Sequence, residues 1–195
     1  MQGQTYVFFG MTGSGKGTQV KLLMEYLKDR GASDMVYVYP GDEYRKLLDA
    51  GTYTASILHE YVPKGRLVPG FMTDAIVANI LIASLKKDSI LITDGYPRAL
   101  EQSRNFEEMV NFYERKDVEI VYIEISKEEA VRRMKLRGRH DDTDEGIATR
   151  FDEYVKNVVP SMDYFNNNGN YKIRTVNGEQ SPEDVHKEII SALRI

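Results

Sequence analysis

The sequence predicts a three-layer α/β/α fold, a five-stranded and mostly parallel sheet with helices on both faces. Three observations predict it. Apolar runs alternate with helical patterns along the whole chain, and those runs are apolar at consecutive positions rather than every second one. A glycine-rich turn also leads straight from the first run into the first helical pattern. Parallel strands joined by right-handed crossovers gather ligands at their carboxyl ends.

The strands are read at Thr5 to Phe9, Met35 to Tyr39, Ser89 to Thr93 and Glu119 to Ile125, with a weaker fifth at Tyr171 to Val176. Val20, Leu23, Met24 and Leu27 recur at helical spacing after the glycine-rich turn, and Gly31 suits the C-terminal cap of that helix. Between the second and third strands lie about three helical segments, more than one crossover needs, so residues 40–69 are read as an inserted helical arm. Ser126 and Glu129 have the spacing of a capping box, and Ser181-Pro182 places an N-cap serine before a first-turn proline. Ile147, Phe151, Tyr154, Val155 and Val158 form one more apolar stripe, expected to end at Pro160, with Asn166 to Gly169 as the following loop.

The 195 residues suit one domain with its own core. With 26 basic against 30 acidic residues the net charge is -4, which argues against a general nucleic-acid binder. The absence of cysteine excludes a disulfide framework and a thiolate zinc site. The longest apolar stretch, Ala75 to Leu85, is interrupted by Asn79 and too short to span a bilayer, and Met1 to Gln4 shows no leader pattern. A cytoplasmic protein without membrane or nucleic-acid partners is expected. No heptad demands a partner chain, so a monomer is expected too.

Gly10-x-x-x-x-Gly15-Lys16-Gly17-Thr18 follows the first strand and opens the first helix, which is the context of a P-loop. Its glycines let backbone N–H groups curl around phosphate, the helix end adds positive potential, and Lys16 reaches the transferring group. Gly13, Ser14, Gly15, Lys16, Gly17 and Thr18 are the candidate ligands. The hydroxyl follows Lys16 by two positions, and no Asn-Lys-x-Asp guanine reader occurs, so a GTPase switch fits poorly.

The loop from Gly10 to Gln19 resembles that of the adenylate kinase family of nucleoside monophosphate kinases, with Thr12 where that family has proline. The resemblance continues through Gly41-Asp42-Glu43-Tyr44-Arg45, Lys64 to Pro69, Asp94-Gly95-Tyr96-Pro97-Arg98 and Arg137 to Thr143, and so covers nearly the whole chain. It implies reversible transfer from ATP to AMP giving two ADP, with magnesium and without zinc. The arm 40–69 becomes a binding arm for the monophosphate, and 137–142 a minimal lid, because only Gly138 separates Arg137 from Arg139.

By the same resemblance Lys16, Arg98, Arg137, Arg139 and Arg150 are catalytic, and Arg133, Arg137 and Gln180 join the loop around ATP. The acceptor falls to Pro40, Gly41, Arg45, Arg66, Leu67, Val68, Gly95, Tyr96, Pro97, Arg98, Gln102, Arg139 and Arg150. Arg45 and Arg98 would grip its phosphate, for which a guanidinium fork is suited, and Gln102 would read adenine. Asp94, ending the third strand, would hold the waters of magnesium, or else cap a helix. Pro40 stands where adenylate kinases usually carry a base-reading threonine, which keeps a UMP/CMP kinase open as the alternative. A nucleotide-binding protein without kinase activity is the remaining alternative. His59, His140 and His186 receive no catalytic role.

Overall fold

In the computed structural model, residues 3–139, 142–168 and 170–195 are described, so His140 lies outside them. All five strands are parallel and run in the order β2-β3-β1-β4-β5: β1 (Thr5–Gly10), β2 (Met35–Val38), β3 (Ile90–Asp94), β4 (Val118–Glu124) and β5 (Lys172–Asn177). Every residue of β1 and of β3 is buried, which explains their runs of consecutive apolar residues. β5 lies at an edge and all of it but Val176 is exposed or half-exposed, the reason its sequence signal is weak.

Alternate residues of β1 face opposite helix layers. Tyr6 and Phe8 meet Val20, Leu23 and Leu27 of α1 (Lys16–Asp29) and Val185 and Ile189 of α9 (Pro182–Leu193). Val7 and Phe9 meet the other layer. It consists of Val77 and Leu81 of α4 (Gly70–Ser84), Phe106 and Val110 of α5 (Leu100–Phe112), and Phe165 of α8 (Val159–Asn166). Each such buried side chain contributes about 1.5–3 kcal/mol of transfer free energy. At the amino ends of the strands Arg115, buried, donates to the carbonyls of Gln4, Lys87 and Ser89 and to the Thr5 hydroxyl. That bracket holds the sheet at the end away from the cleft.

Between β2 and β3 run α2 (Pro40–Leu48), α3 (Tyr53–Leu58) and α4, as the helical excess there implied. The first two pack on Val68 around a small core of their own. Among the described residues no helix is long and apolar enough to cross a membrane.

Three local expectations are corrected. Pro160 does not end the helix: α7 (Asp144–Glu153) continues through a π-helical turn, Tyr154–Val158, into α8. The wide turn carries a bond from the Val159 N–H to the Tyr154 carbonyl, and Pro160 falls in the first turn of α8, where a missing N–H is tolerated. Val155 is exposed rather than part of the apolar stripe. The capping box at α6 (Lys127–Arg137) is split: Ser126 Oγ accepts from the Glu129 N–H, but the Ser126 N–H donates to Glu179 at 2.8 Å. Glu129 is drawn away by Arg132 and Arg133.

Candidate active site

The turn between β1 and α1 depends on glycine at a specific point. Gly13 has φ 91, and a Cβ there would lie 2.8 Å from the Ala130 carbonyl of α6, so conformation and space both exclude a side chain. Gly15, also left-handed, starts α1 without a side-chain cap, leaving the positive helix end to an anion. Lys16 Nζ donates to the carbonyls of Gly10 at 2.7 Å and Met11 at 2.9 Å. Desolvation lowers this ammonium to about 8; Asp94 pulls it back up, and the charges of Arg98 and Arg137 push it further down. Nothing in the structure explains Thr12.

Phe8 of β1 and Asp94 of β3 are partners in the sheet, which brings the Asp94 carboxylate beside the loop. Asp94 is buried, and burial raises its carboxyl above the usual range, against Lys16, Arg98, a bond from Tyr37 and Arg139. The Tyr37 hydroxyl donates to Oδ2 at 3.3 Å. The helix-cap reading of Asp94 falls away, since α5 starts beyond it with Ala99 as its N-cap residue. Gly95, at φ 68, lets the Arg98 guanidinium fold back over the turn, where a Cβ would collide with it. The Tyr96–Pro97 peptide bond within this turn is cis.

On the arm, Arg45 pairs with Asp42 and lies 5.3 Å from the centre of the Tyr39 ring, which stacks on Tyr37 at 6.1 Å. Pro40 begins α2 at the position where a missing N–H costs least. Gln102 Oε1 accepts from the Arg98 N–H at 2.8 Å, so this amide is oriented from behind. At the arm's far end Gly65, with φ 73, rests on α7: a Cβ there would lie 2.6 Å from the Gly146 carbonyl and 3.0 Å from Cγ of Arg150.

The arginines following the arm are held by carboxylates. Arg133 donates to Glu129 at 2.6 Å and to the Gly178 carbonyl at 2.7 Å, joining α6 to the loop after β5. Bonds from Arg132 and Arg133 hold the Glu129 carboxyl down at about 2. Gln180, in that loop, donates to Glu188 and to the Asn177 carbonyl. Asp142 collects the next group. It accepts two bonds from Arg137, at 3.0 and 2.7 Å, one from Arg150 at 2.7 Å and one from the Arg139 N–H. Burial alone would raise the Asp142 carboxyl, but the bonds and charges of Arg137 and Arg150 and the Arg139 N–H hold it below the usual range.

One cleft of about 890 Å³ is lined by every sequence-predicted site residue except Tyr96. Tyr96 is fully buried against Phe106, its hydroxyl donating to Asp74 at 2.7 Å. Its backbone shapes the turn while its ring belongs to the core. Tyr37, Tyr39 and Glu129 also line the cleft, and Asp142 organises it from behind; sequence reasoning placed Glu129 in a capping box and Asp142 in the lid segment but named none of the four as a site residue. For Asp142 the available signal was its place three residues after Arg139, within the lid segment.

The family model for adenylate kinase matches residues 8–170, from within β1 to just beyond α8. An adenylate kinase of Corynebacterium urealyticum is 32% identical over 190 residues, covering 96% of this chain and 97% of that protein. One from Rickettsia akari is 27% identical over 221 residues, covering 97% and 98%. A match over most of the sheet and both walls of the cleft, with similarity over nearly the full length of these relatives, means that the chain belongs to the adenylate kinase family.

Proposed function

We infer that the protein transfers a phosphoryl group reversibly between ATP and AMP, forming two ADP. The observation that carries this reading is the single cleft in which a phosphate loop meets guanidinium groups from α2, the turn after β3, the end of α6, and α7. Such an array suits phosphoryl transfer, whose transition state spreads negative charge over equatorial oxygens and depends on positioning and cations. The adenylate kinase relatives do not favour the pyrimidine-kinase or non-catalytic alternatives.

In this reading the loop and Lys16 hold the ATP phosphates, with Arg133, Arg137 and Gln180 along the donor side. Arg45 and Arg98 fix the acceptor phosphate, and Arg139 and Arg150 stand between the two nucleotides. Magnesium would arrive with ATP. Asp94 fits it: the carboxylate is buried, ends β3 and faces the first turn of α1, where a Cβ on Gly17 would lie 3.5 Å from Oδ2. Asp94, through water, would hold the ion, which supplies charge neutralisation at the transferring phosphate.

Residues 40–69 act as the acceptor arm and 137–142 as a short lid, 140 and 141 lying outside the described residues. The contact of Gly65 with Gly146 supports closure of the arm onto α7. Closure excludes water, which would otherwise accept the phosphoryl group. The charge balance and the lack of cysteine support a cytoplasmic protein that binds no nucleic acid, and the lack of a heptad pattern supports a monomer.

A coupled assay of ATP against AMP, CMP, UMP and GMP tests the reading. Highest kcat/KM with AMP is expected. No ADP with any acceptor would end the kinase reading, and preference for CMP would end the AMP assignment.

A further inference from the structure

Two buried hydroxyls line the acceptor side of the cleft. Tyr44, on α2, and Thr73, on the first turn of α4, share a hydrogen bond of 2.6 Å. Around them the arm's core is apolar, with Leu58, Val68, Met72 and Ile76 close by. An apolar pair would join α2 to α4 without the desolvation that two hydroxyls suffer there. Two hydroxyls also carry two protons, and their mutual bond uses one. One donor and several lone pairs therefore remain at a position that opens on the cleft.

The groups nearby define what these hydroxyls can recognise. Pro40, one turn before Tyr44 on the same face of α2, has no N–H, and Gly41 has no side chain. Asp74 is occupied on both oxygens, by Tyr96 and Asn105. Gln102 has its oxygen committed to the Arg98 N–H. Its Nε2 lies beside the start of α4, 4.0 Å from where a Cβ on Gly70 would stand. That nitrogen can only donate, so it suits a base with a ring acceptor, N1 of adenine or N3 of cytosine. In both bases an exocyclic amino group stands beside that ring nitrogen and needs an acceptor. In guanine and uracil the matching ring position is an N–H, which would oppose the amide.

We propose that the Tyr44–Thr73 hydroxyl pair determines acceptor specificity by accepting the exocyclic amino group of the acceptor base, beside the Gln102 amide. The proposal rests on the reading that this side of the cleft binds the nucleoside monophosphate. It assigns base choice to a joint between α2, the helix of the arm that also carries Arg45, and α4, which follows the arm.

The test compares AMP with purine riboside 5′-monophosphate, which lacks only the amino group, in the full-length protein. Wild type, Thr73→Val, Thr73→Ser and Tyr44→Phe are each assayed at saturating ATP, with KM for ATP and melting temperature measured alongside. Wild type should favour AMP by about tenfold in kcat/KM, as expected for one hydrogen bond with its desolvation. Thr73→Val and Tyr44→Phe should shrink that ratio towards one, through KM for the acceptor, while Thr73→Ser keeps it. Loss of stability in Thr73→Val with an unchanged AMP preference would make the pair a structural joint and overturn the proposal. A wild-type preference for CMP would refute the AMP assignment alone. The pair then stands if Thr73→Val lowers the CMP preference over UMP, and falls if it does not.

Discussion

Replacing Gly65 by alanine separates closure of the arm from stability of the fold. The new Cβ would lie 2.6 Å from the Gly146 carbonyl oxygen, where real Cβ atoms need at least about 3 Å, and 3.0 Å from Cγ of Arg150. Backbone on both sides cannot yield as a flexible side chain would. The arm must stand off α7 by several tenths of an ångström to about 1 Å, and a displacement of that size at a reacting centre costs about 100-fold in rate, or about 2.7 kcal/mol. Left-handed strain at φ 73 adds about 1 kcal/mol to the destabilisation, or about 2–4 °C in melting temperature for a chain of this length. Gly31→Ala is the control. It carries the same kind of strain, at φ 89, with nothing within 4 Å of its Cβ and no place in the cleft. Both variants should melt a few degrees lower, but only Gly65→Ala should lose about two orders of magnitude in kcat/KM for AMP. Equal activity of the two variants would refute the closure argument.

Asp142→Asn keeps the shape but removes the charge that organises Arg137 and Arg150; kcat should fall about 10- to 100-fold with little change in ATP affinity, as read by steady-state kinetics. Arg98→Ala should cripple AMP use and largely spare ATP binding, measured by titration calorimetry; equal loss of both would contradict its place on the acceptor side. Lys16, lowered to about 8 in the free protein, should recapture a proton when a polyphosphate binds above that pH. Calorimetry of ATP binding near pH 9 in buffers of different ionisation enthalpy should show proton uptake that vanishes by pH 6 and in Lys16→Met. Because the unfolded lysine titrates near 10.5, the unfolded chain holds more protons between about pH 8 and 10.5, and this one group makes stability rise with pH across that window. Phe165→Ala, which empties a fully buried site in contact with Phe9, Phe106 and Tyr171, should cost about 3–5 kcal/mol in chemical denaturation without altering the cleft chemistry.

The sequence by itself determined the elements whose cause is local. Consecutive burial makes β1 and β3 run through adjacent apolar residues, so they are legible as strands. The positive φ values at Gly13 and Gly15 are written as glycines, and the arginines from Arg98 to Arg150 advertise themselves by type and spacing. What only the tertiary structure decided are pairings between distant segments. Ser126 called for a carboxylate, but Glu179 supplies it from across the fold because two arginines compete for Glu129. Pro160 looked like a terminator until the π turn before it accommodated the ring. Tyr96 sits among site residues yet faces the core, because its hydroxyl finds Asp74. The Tyr44–Thr73 pair and the approach of Gly65 to Gly146 likewise leave no pattern in the chain. A hydrogen bond or steric contact across a long separation depends on where folding places both partners, and periodicity carries no record of it.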